Sequence, residues 1–444
     1  MIVHIDTIID SIPYADTIKG KPLQSSQSLP KNWAPRFFTI WIGQAISLFG
    51  SALVQFALVW WLTQQTGSAI TLTTAVLVGM LPQIVLGPFA GALVDRWNRR
   101  LILILADSTI AAFSLLLAWL FATGQVQIWH IYTIMAIRSL GGAFHTPAMS
   151  ASTPLLVPEE QLTRVNGLNQ TLQGINSLAA PPIGALLLGL FQTQNVLLID
   201  VGTAALAILP LFFIPIPQPE RVEEPLQPEK PSLFNDIGVA LRYIRSWPGL
   251  VAILAMALFL NFLLVPTGAL LPLLVTEHFH KGAIDLGFLE SAQGFGIIAG
   301  GIVLSIWGGF KRKITTSILG IIGLGTGVML TGLAPGNLFY LAIIGSALLG
   351  FMIPITNGPI GAILQSVIRP DMQGRVMSLV NSAATAISPL GLLLAGPLSD
   401  WLGIRFWFWA GGLICLLIGM AAFFIPAIMN VESNQETSTV PVTD

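Results

Sequence analysis

Four ionisable side chains fall within long apolar stretches of this sequence, where a charge is energetically expensive. They are the base Arg138 and the acids Asp107, Asp200 and Glu290. On insertion scales a charged residue at the centre of a bilayer costs about 2.5–3.5 kcal/mol, so each is expected to face a partner or a wet cavity. A buried carboxyl can exchange protons near neutral pH, and one beside Arg138 could pair with it when ionised and release it when protonated. The four residues are therefore candidates for proton coupling.

Each candidate also has a plainer interpretation. Arg138 could cap carbonyl groups of a neighbouring helix, and Asp107 and Asp200 are expected to make structural contacts between helices. Glu290 is the acid expected to lie nearest a central cavity, so its neutralisation is expected to impair coupling more than that of Asp200. His145 is expected to be a packed, hydrogen-bonded histidine rather than a proton relay.

The elements that must position these residues are membrane-spanning helices. The 444 residues are 54% hydrophobic and 9% charged, against about 25% charged in soluble proteins, and a span takes about 20 apolar residues. The near-balanced charge, net −1, excludes a nucleic-acid binder that works by bulk charge. The fold class predicted is an all-α polytopic membrane protein with twelve spans, at 37–62, 69–94, 101–122, 128–152, 165–190, 195–216, 249–275, 285–309, 314–334, 338–367, 376–399 and 403–428.

Positive charge is distributed unevenly between the loops. Of the 20 Lys and Arg residues, all but Arg138, Lys281 and Arg405 fall in the N-terminal tail or in loops on the same side of the predicted membrane. Because loops rich in Lys and Arg stay in the cytoplasm, both termini are predicted to be cytoplasmic. The protein is expected to be a multi-pass component of the cell (inner) membrane, in contact with its lipid.

A polar interval divides the chain into two halves of six spans. The predicted parts are a cytoplasmic tail 1–36, a first half 37–216, a cytoplasmic linker 217–248, a second half 249–428 and a cytoplasmic tail 429–444. Within the linker, Leu233–Arg245 is predicted to form a short amphipathic helix along the inner surface. Similar loops at 157–165 and 368–376 occupy equivalent places in the two halves. This repeat is typical of transporters whose substrate site lies between the halves near the midplane.

The loop between spans 2 and 3 carries a specific motif. Residues 91–100 read Gly-Ala-Leu-Val-Asp-Arg-Trp-Asn-Arg-Arg, which resembles the signature loop of the major facilitator superfamily. Asn98 replaces the second glycine of that pattern and is expected to supply a positive φ. The resemblance implies that Asp95 latches the two halves when the inner side is closed; the alternative is that the charges only terminate and orient spans 2 and 3. The gating candidates are Gly91, Asp95, Arg96, Arg99 and Arg100.

Span 4 and the following loop narrow the resemblance. Residues 138–147 read Arg-Ser-Leu-Gly-Gly-Ala-Phe-His-Thr-Pro and residues 153–163 read Thr-Pro-Leu-Leu-Val-Pro-Glu-Glu-Gln-Leu-Thr, similar to the macrolide-efflux branch of bacterial drug exporters. In this superfamily the motif that contains Arg138 is implicated in proton handling. Span 5 partly matches the exporter pattern at Gly167, Pro181 and Gly184, which would let helices approach and slide. Ordinary helix packing explains the same three residues.

The resemblance implies a secondary active transporter that exports an amphiphilic, macrolide-like small molecule by proton antiport with alternating access. The alternative within the fold is an exporter of a siderophore or another native metabolite. A membrane enzyme is not supported, because the sequence has no phosphate-binding loop ending Gly-Lys-Ser/Thr and no metalloprotease or serine-hydrolase motif. A non-transporting scaffold would leave Arg138 and the loop 91–100 without a role.

The predicted partners are a small-molecule substrate, protons and lipid, with the chain acting as a monomer. Its cavity is expected to be mostly apolar and to suit a large, weakly cationic or neutral amphiphile. No metal or cofactor is predicted, because the chain has a single cysteine, Cys415, and His278 and His280 are too few for a metal site. The candidate polar contacts in the substrate cavity are Gln44, Gln55, Asn261, Gln293 and Asn381.

Overall fold

The computed structural model describes residues 33–218 and 233–432, which are almost entirely helical. The predicted tails therefore lie largely outside the described residues, as do residues 219–232 of the linker. The first half contains α1 Trp33–Thr66, α2 Ala69–Arg96, α3 Arg99–Ala122, α4 Ile128–Leu156, α5 Glu159–Leu190 and α6 Thr193–Phe213. The remainder contains α7 Leu233–Arg245, α8 Pro248–Leu273, α9 Ala283–Trp307, α10 Lys313–Leu333, α11 Phe339–Val367, α12 Pro370–Ala386, α13 Ser388–Leu402, α14 Ile404–Ala422 and α15 Pro426–Met429.

Among the described residues, ten helical segments are long and apolar enough to cross a membrane, and one of them comprises α12 and α13 together. The two other long helices, α4 and α5, are more polar. The first carries Arg138 and His145, and the second carries Asn169, Gln173 and Asn176. With these two helices the count is twelve, and the predicted all-α, twelve-span architecture is confirmed.

Prolines account for the places where the predicted spans differ from the helices. The expected continuous span at 376–399 is two helices, α12 and α13, joined at Ile387, because Pro389 in the first turn of α13 cannot donate a backbone hydrogen bond. The expected span at 403–428 ends at Ala422, and Pro426 starts the separate turn α15. Helix α8 continues into a single π-helical turn, Leu274–His278. Helix α7 occupies the residues that were predicted for the linker helix.

The two halves repeat the same packing scheme. In the first half α1 packs on α6, α2 on α4, and α3 on both α4 and α6. In the second half α8 packs on α14, α9 on α11, and α10 on both α11 and α14. Each pair in the second half is the six-span equivalent of a pair in the first, which is the arrangement expected of two duplicated bundles.

The halves meet where α5 packs on α9 and where α2 packs on α13. We call the end of the bundle that carries the connection from α6 to α8 the linker end, and the opposite end the distal end. Two close contacts of α5 with α9 lie in the part of α9 nearer the distal end. Ser291 donates a hydrogen bond of 3.0 Å to the Leu178 carbonyl, and a Cβ on Gly294 would stand 3.0 Å from the Leu178 Cα atom. Glycine at position 294 therefore permits the close approach of the two halves.

Candidate functional site

A buried polar group connects three helices of the first half. The Gln44 side-chain amide of α1 donates a hydrogen bond of 2.9 Å to Oδ2 of Asp107 on α3. Nε2 of His145 on α4 lies 2.8 Å from Gln44 Oε1 and 3.4 Å from Asp107 Oδ1. All three residues are less than 10% exposed. We call this trio the Asp107 layer.

A second buried group lies beside it and contains an ion pair. Nη1 of Arg138 on α4 lies 2.6 Å from Oδ2 of Asp200 on α6. Asp200 has no exposed surface, and it also accepts hydrogen bonds from Ser114 at 2.8 Å and from Ser51 at 3.0 Å. Arg138 reaches the Ser114 hydroxyl as well, at 2.6 Å. We call these four residues the Asp200 layer.

The register of the helices produces the two layers. Residues seven positions apart lie on nearly the same helix face, about 10 Å apart along the axis. Three helices contribute one residue to each layer in this register: Gln44 and Ser51 on α1, Asp107 and Ser114 on α3, and His145 and Arg138 on α4. The Asp107 layer therefore stands about two helical turns nearer the linker end than the Asp200 layer.

The two layers differ in electrostatic character. Arg138 keeps its charge at any physiological pH, so the Asp200 carboxylate has a permanent cation as its partner, together with two hydroxyl donors. Asp107 has an amide and a histidine instead. With a neutral His145 the two layers together carry one net negative charge, and a single proton on His145 or Asp107 neutralises it. The Asp107 layer thus contains no arginine to balance its carboxylate.

Three neighbouring cavities lie within the bundle, and residues of the two layers line one of them. A polar cavity of about 270 Å³ is lined by Asp107, Arg138 and His145. A central cavity of about 570 Å³ lies between the halves and is lined by residues of α1, α2, α5, α8 and α9, including Glu290. Gln55 lines both of these cavities. A third cavity, of about 220 Å³, is lined by residues of the second half.

The predicted substrate contacts fall in different places. Gln44 and Gln55 line the polar cavity, and Gln55 and Gln293 line the central one. Gln293 also lines the third cavity. Asn261 does not line any of these three cavities, and its side chain donates a hydrogen bond of 2.9 Å to a carbonyl of its own helix. Asn381 lies exposed on α12 and is likewise absent from the three cavity walls. Helical periodicity could not place these two asparagines, because it does not identify which face meets the opposite half.

The predicted proton-coupling residues also lie in different places. The carboxyl that pairs with Arg138 is Asp200, whereas Glu290 lies in the central cavity. The expectation that Glu290 is more important than Asp200 for coupling stays a prediction. Asp107 belongs to the other layer, where its partner is His145.

The loop between α2 and α3 is held by backbone contacts within the first half. Arg99 donates to the Ala151 carbonyl on α4 at 3.2 Å. Arg100 donates to the Leu211 carbonyl and, at 2.7 Å, to the Phe212 carbonyl, so it caps the last turn of α6. These bonds fit the interpretation in which the two arginines terminate and orient helices.

Other parts of this loop bear on the predicted gate. Asn98 has a φ of −68°, and its side chain accepts a hydrogen bond from the Leu101 amide as the N-cap of α3. The expectation of a positive φ is thus wrong, because capping satisfies the helix end without a left-handed residue. Arg96 is exposed, and a Cβ on Gly91 would meet nothing within 4 Å. The Asp95 side chain lies outside the described part of the structure.

Two of the three predicted packing residues of α5 make close contacts. The Pro181 carbonyl oxygen would lie 3.1 Å from a Cβ on Gly287 of α9. A Cβ on Gly184 would lie 3.0 Å from the Phe56 ring of α1. The same atom on Gly167 would meet nothing within 4 Å. Pro181 therefore lies at the contact between the halves, and Gly184 packs within its own half.

The sequence analysis did not identify Ser51, Ser114 or the layer role of His145. The signal that could have found His145 is its position two helical turns after Arg138, which puts both on one face of α4. Ser51 and Ser114 follow Gln44 and Asp107 at the same interval. Serine is too common in spans for that spacing to be informative without the helix contacts.

The sequence analysis also did not identify a contact between the halves at the distal end. Asp400, near the end of α13, accepts hydrogen bonds from the Ala69 amide at 2.7 Å and the Ile70 amide at 3.3 Å. The Ser68 hydroxyl donates to the same carboxylate at 3.1 Å. An anion at a helix N-terminus is favoured by the free amide groups and by the helix dipole. Asp400 thus caps α2 across the boundary between the halves.

A sequence signal for Asp400 exists in retrospect. Residues 91–95 read Gly-Ala-Leu-Val-Asp, and residues 396–400 read Gly-Pro-Leu-Ser-Asp. The first acid ends α2 at the linker end, and the second lies near the end of α13 at the distal end. The two acids therefore stand at opposite ends of the α2–α13 contact.

The geometry can be set beside known proteins. A sequence profile of the Major Facilitator Superfamily matches residues 40–269 and 264–441. The chain is similar to macrolide efflux protein A of Streptococcus pyogenes, with 34% identity over 401 residues that cover 90% of this chain and 98% of the relative. The Enterococcus faecalis protein of the same name is 33% identical, over 73% of this chain and 100% of the relative. Multidrug efflux pump Tap of Mycolicibacterium fortuitum is 26% identical, over 86% of this chain and 94% of the relative.

Solved structures share the fold at much lower sequence identity. A D-xylose–proton symporter has a TM-score of 0.64 and 13% identity, covering 86% of this chain and 96% of the other. A bacterial homologue of the iron transporter ferroportin, in an inward-facing state, has a TM-score of 0.62 and 15% identity, covering 87% and 98%. These likenesses show the fold alone.

Proposed function

We propose that this chain, which belongs to the Major Facilitator Superfamily, exports macrolide-like amphiphilic molecules across the cell membrane in exchange for protons. As a member of that family it is a multi-pass membrane transporter. The observation that carries the finer proposal is the buried Asp107–His145 pair, on the wall of a cavity that adjoins the central cavity at Gln55. The relatives named for macrolide and multidrug efflux support export as the direction of transport.

In this proposal the monomer has both termini in the cytoplasm, so the linker end is cytoplasmic and the distal end faces outward. The contacts of Asp400 with α2 and of Ser291 with α5 hold the distal end closed. The structure then corresponds to an inward-facing state, in which substrate reaches the central cavity from the cytoplasm or the inner leaflet. The resemblance of the loop 91–100 assigns to Asp95 the converse task of closing the linker end.

Proton coupling is assigned to the Asp107 layer. A proton on His145 or Asp107 changes the charge of the buried group, whereas Arg138 and Asp200 form a fixed pair that holds α3, α4 and α6 together through Ser114. Coupling requires that protonation favour one of the two access states over the other. The Asp107 layer joins α1, α3 and α4, so a change in its hydrogen bonds acts directly on helices of one half.

The test is transport by the purified full-length chain in proteoliposomes loaded with a macrolide. An imposed pH gradient should drive the macrolide against its concentration gradient, and collapse of the gradient by a protonophore should stop net movement. Transport of the macrolide down its own gradient only, whatever the pH difference, would contradict antiport. If the macrolide does not move at all and a siderophore moves in response to the pH gradient, the substrate is a siderophore and not a macrolide.

A further inference from the structure

The central cavity contains one acid that the coupling scheme does not use. Glu290 lies on α9, and its side chain lines the wall between the two halves. Among the residues that the structure describes, its carboxylate makes no hydrogen bond and no ion pair. It is also the only ionisable side chain among the residues that line this cavity.

Asp107 and Asp200, the two acids of the polar layers, are both partnered. Asp200 has Arg138 and two serines, and Asp107 has Gln44 and His145. A carboxylate without a partner in a mostly apolar wall is unfavourable, because neither water nor a protein cation compensates its charge fully. A ligand cation inside the cavity would supply the missing partner.

The surrounding wall indicates what kind of cation fits. Phe56, Val265 and Leu271 give the cavity apolar surface, which suits a bulky hydrophobic body. Gln55 and Gln293 add amide groups that can bind hydroxyl or carbonyl groups of a ligand. The Asn176 side-chain oxygen, in the same wall, has no hydrogen-bond donor among the described residues. A buried acceptor of this kind normally finds a donor on water or on a ligand.

We propose that Glu290 determines specificity by binding the protonated amine of an amphiphilic substrate, so that the transporter prefers cationic over neutral compounds of the same shape. This inference rests on the proposed function for its substrate class. It separates two tasks among the buried acids: Glu290 selects the substrate in the central cavity, and the Asp107 layer exchanges protons in the neighbouring one.

The test compares binding of two matched pairs of compounds to the purified full-length chain. The first pair is a macrolide with a dimethylamino group on its amino sugar and the same macrolide with one of those N-methyl groups replaced by an acetyl group, which makes the nitrogen a neutral amide. The second pair, the cation tetraphenylphosphonium and neutral triphenylphosphine oxide, contains no macrolide. Affinities are measured for the wild type and for Glu290→Gln, Glu290→Asp and Glu277→Gln. Glu277 is the matched control, because it lies in the same half but lines a different pocket.

The wild type should bind each cation at least about tenfold more tightly than its neutral partner, because each cation is attracted electrostatically to the Glu290 carboxylate. Glu290→Gln should abolish that preference by weakening the cations, with the neutral compounds changed by less than about twofold. Glu290→Asp should keep part of the preference, and Glu277→Gln all of it. A wild type that binds charged and neutral compounds equally would overturn the inference, as would a Glu290→Gln variant that weakens both members of each pair alike.

The two pairs distinguish failure of this inference from failure of the proposed function. Glu290-dependent preference in the phosphonium pair, with no macrolide binding, would contradict the macrolide substrate and support the role of Glu290. Tight macrolide binding without any charge preference would support the macrolide substrate and contradict the role of Glu290.

Discussion

The Asp400 carboxylate accepts a hydrogen bond of 2.7 Å from the Ala69 amide, so an acid of the second half caps a helix of the first. Helix α2 already has a cap in its own half, because the Ser68 side chain accepts from the Thr71 amide. Asp400 therefore adds stabilisation that exists only while the two halves touch at the distal end. Such a contact biases the equilibrium between access states without contributing to the fold of either half.

Replacing Asp400 by alanine should weaken closure of the distal end. Loss of a capping carboxylate costs about 1 kcal/mol, which corresponds to a change of about fivefold in the ratio of closed to open states. Spin labels on Gln64 and Tyr340, both exposed residues near the distal end in opposite halves, should report a larger long-distance population. Asp285→Ala is the control, since Asp285 caps its own helix. An unchanged distance distribution would show that Asp400 does not stabilise closure of the distal end.

The converse substitution, Asp95→Asn, should act on the other end. By the resemblance of the loop 91–100, the Asp95 charge closes the linker end. Its loss should shift labels on Arg164 and Arg312 toward the open population while folding and insertion are retained. If Asp95→Asn and Asp400→Ala open the same end of the bundle, the two acids do not close opposite ends as proposed.

The close contact of α9 with α5 gives a test on a matched pair of glycines. Gly294→Ala places a methyl group 3.0 Å from the Leu178 Cα atom, whereas Gly301→Ala on the same helix places it in open space. Both changes gain the same helix propensity, about 1 kcal/mol. Only Gly294→Ala should separate the halves at the distal end and lower the transport rate. Equal transport by the two variants would show that the contact is not maintained during the cycle.

Sidedness can be tested by labelling single cysteines in a background that lacks Cys415, which is buried. Cysteines at Gln64 and Gly336 should react with an impermeant reagent from outside the cell. A cysteine at Arg312 should react only after the membrane is opened. These outcomes follow from the bias of positive charge between the loops. Opposite accessibility at any of the three positions would invert or break the proposed topology.

The Arg138–Asp200 pair predicts a separation of stability from transport. Arg138→Gln leaves the fully buried Asp200 carboxylate without its cation, and breaking a buried pair costs about 3–5 kcal/mol. The thermal unfolding temperature should fall. Proton-driven export should also weaken, because the pair positions α3 and α4, which carry Asp107 and His145, while some substrate binding should remain. The double variant Arg138→Gln/Asp200→Asn should recover most of the stability because no charge is left unpaired. If Arg138→Gln exports at the wild-type rate, the pair has no part in the cycle.

The sequence predicted the helical architecture well, because a span needs a long apolar run and loops carry the sidedness in their charge. It also identified Arg138, Asp107 and Asp200 as unusual, since charges within spans are rare. It could not pair them. Asp200 and Arg138 are 62 residues apart in the chain, and their contact depends on how α6 and α4 are rotated toward each other. The same limit applies to Glu290, because its place in the central cavity depends on how α9 is rotated toward the other half.

The contact between the halves at the distal end could not be predicted from the sequence either, for a related reason. Asp400 and Ala69 are separated by 331 residues, and periodicity within one helix says nothing about which helix of the other half it will meet. The prediction of a positive φ at Asn98 was wrong for a different reason. Its replacement of a glycine suggested a left-handed turn, but a capping side chain meets the needs of the helix end in extended backbone.

We propose that the Asp107–His145 pair carries the exchanged proton, and pH-driven macrolide transport by Asp107→Asn in proteoliposomes tests this assignment. The asparagine can still hydrogen-bond Gln44 but can no longer take up a proton, so the protein should fold and bind substrate. Asp107→Asn should move macrolide down its own gradient at a rate that no longer depends on the pH difference, while Asp285→Asn should behave as the wild type. Uphill transport by Asp107→Asn at the wild-type rate would show that the Asp107–His145 pair does not carry the exchanged proton.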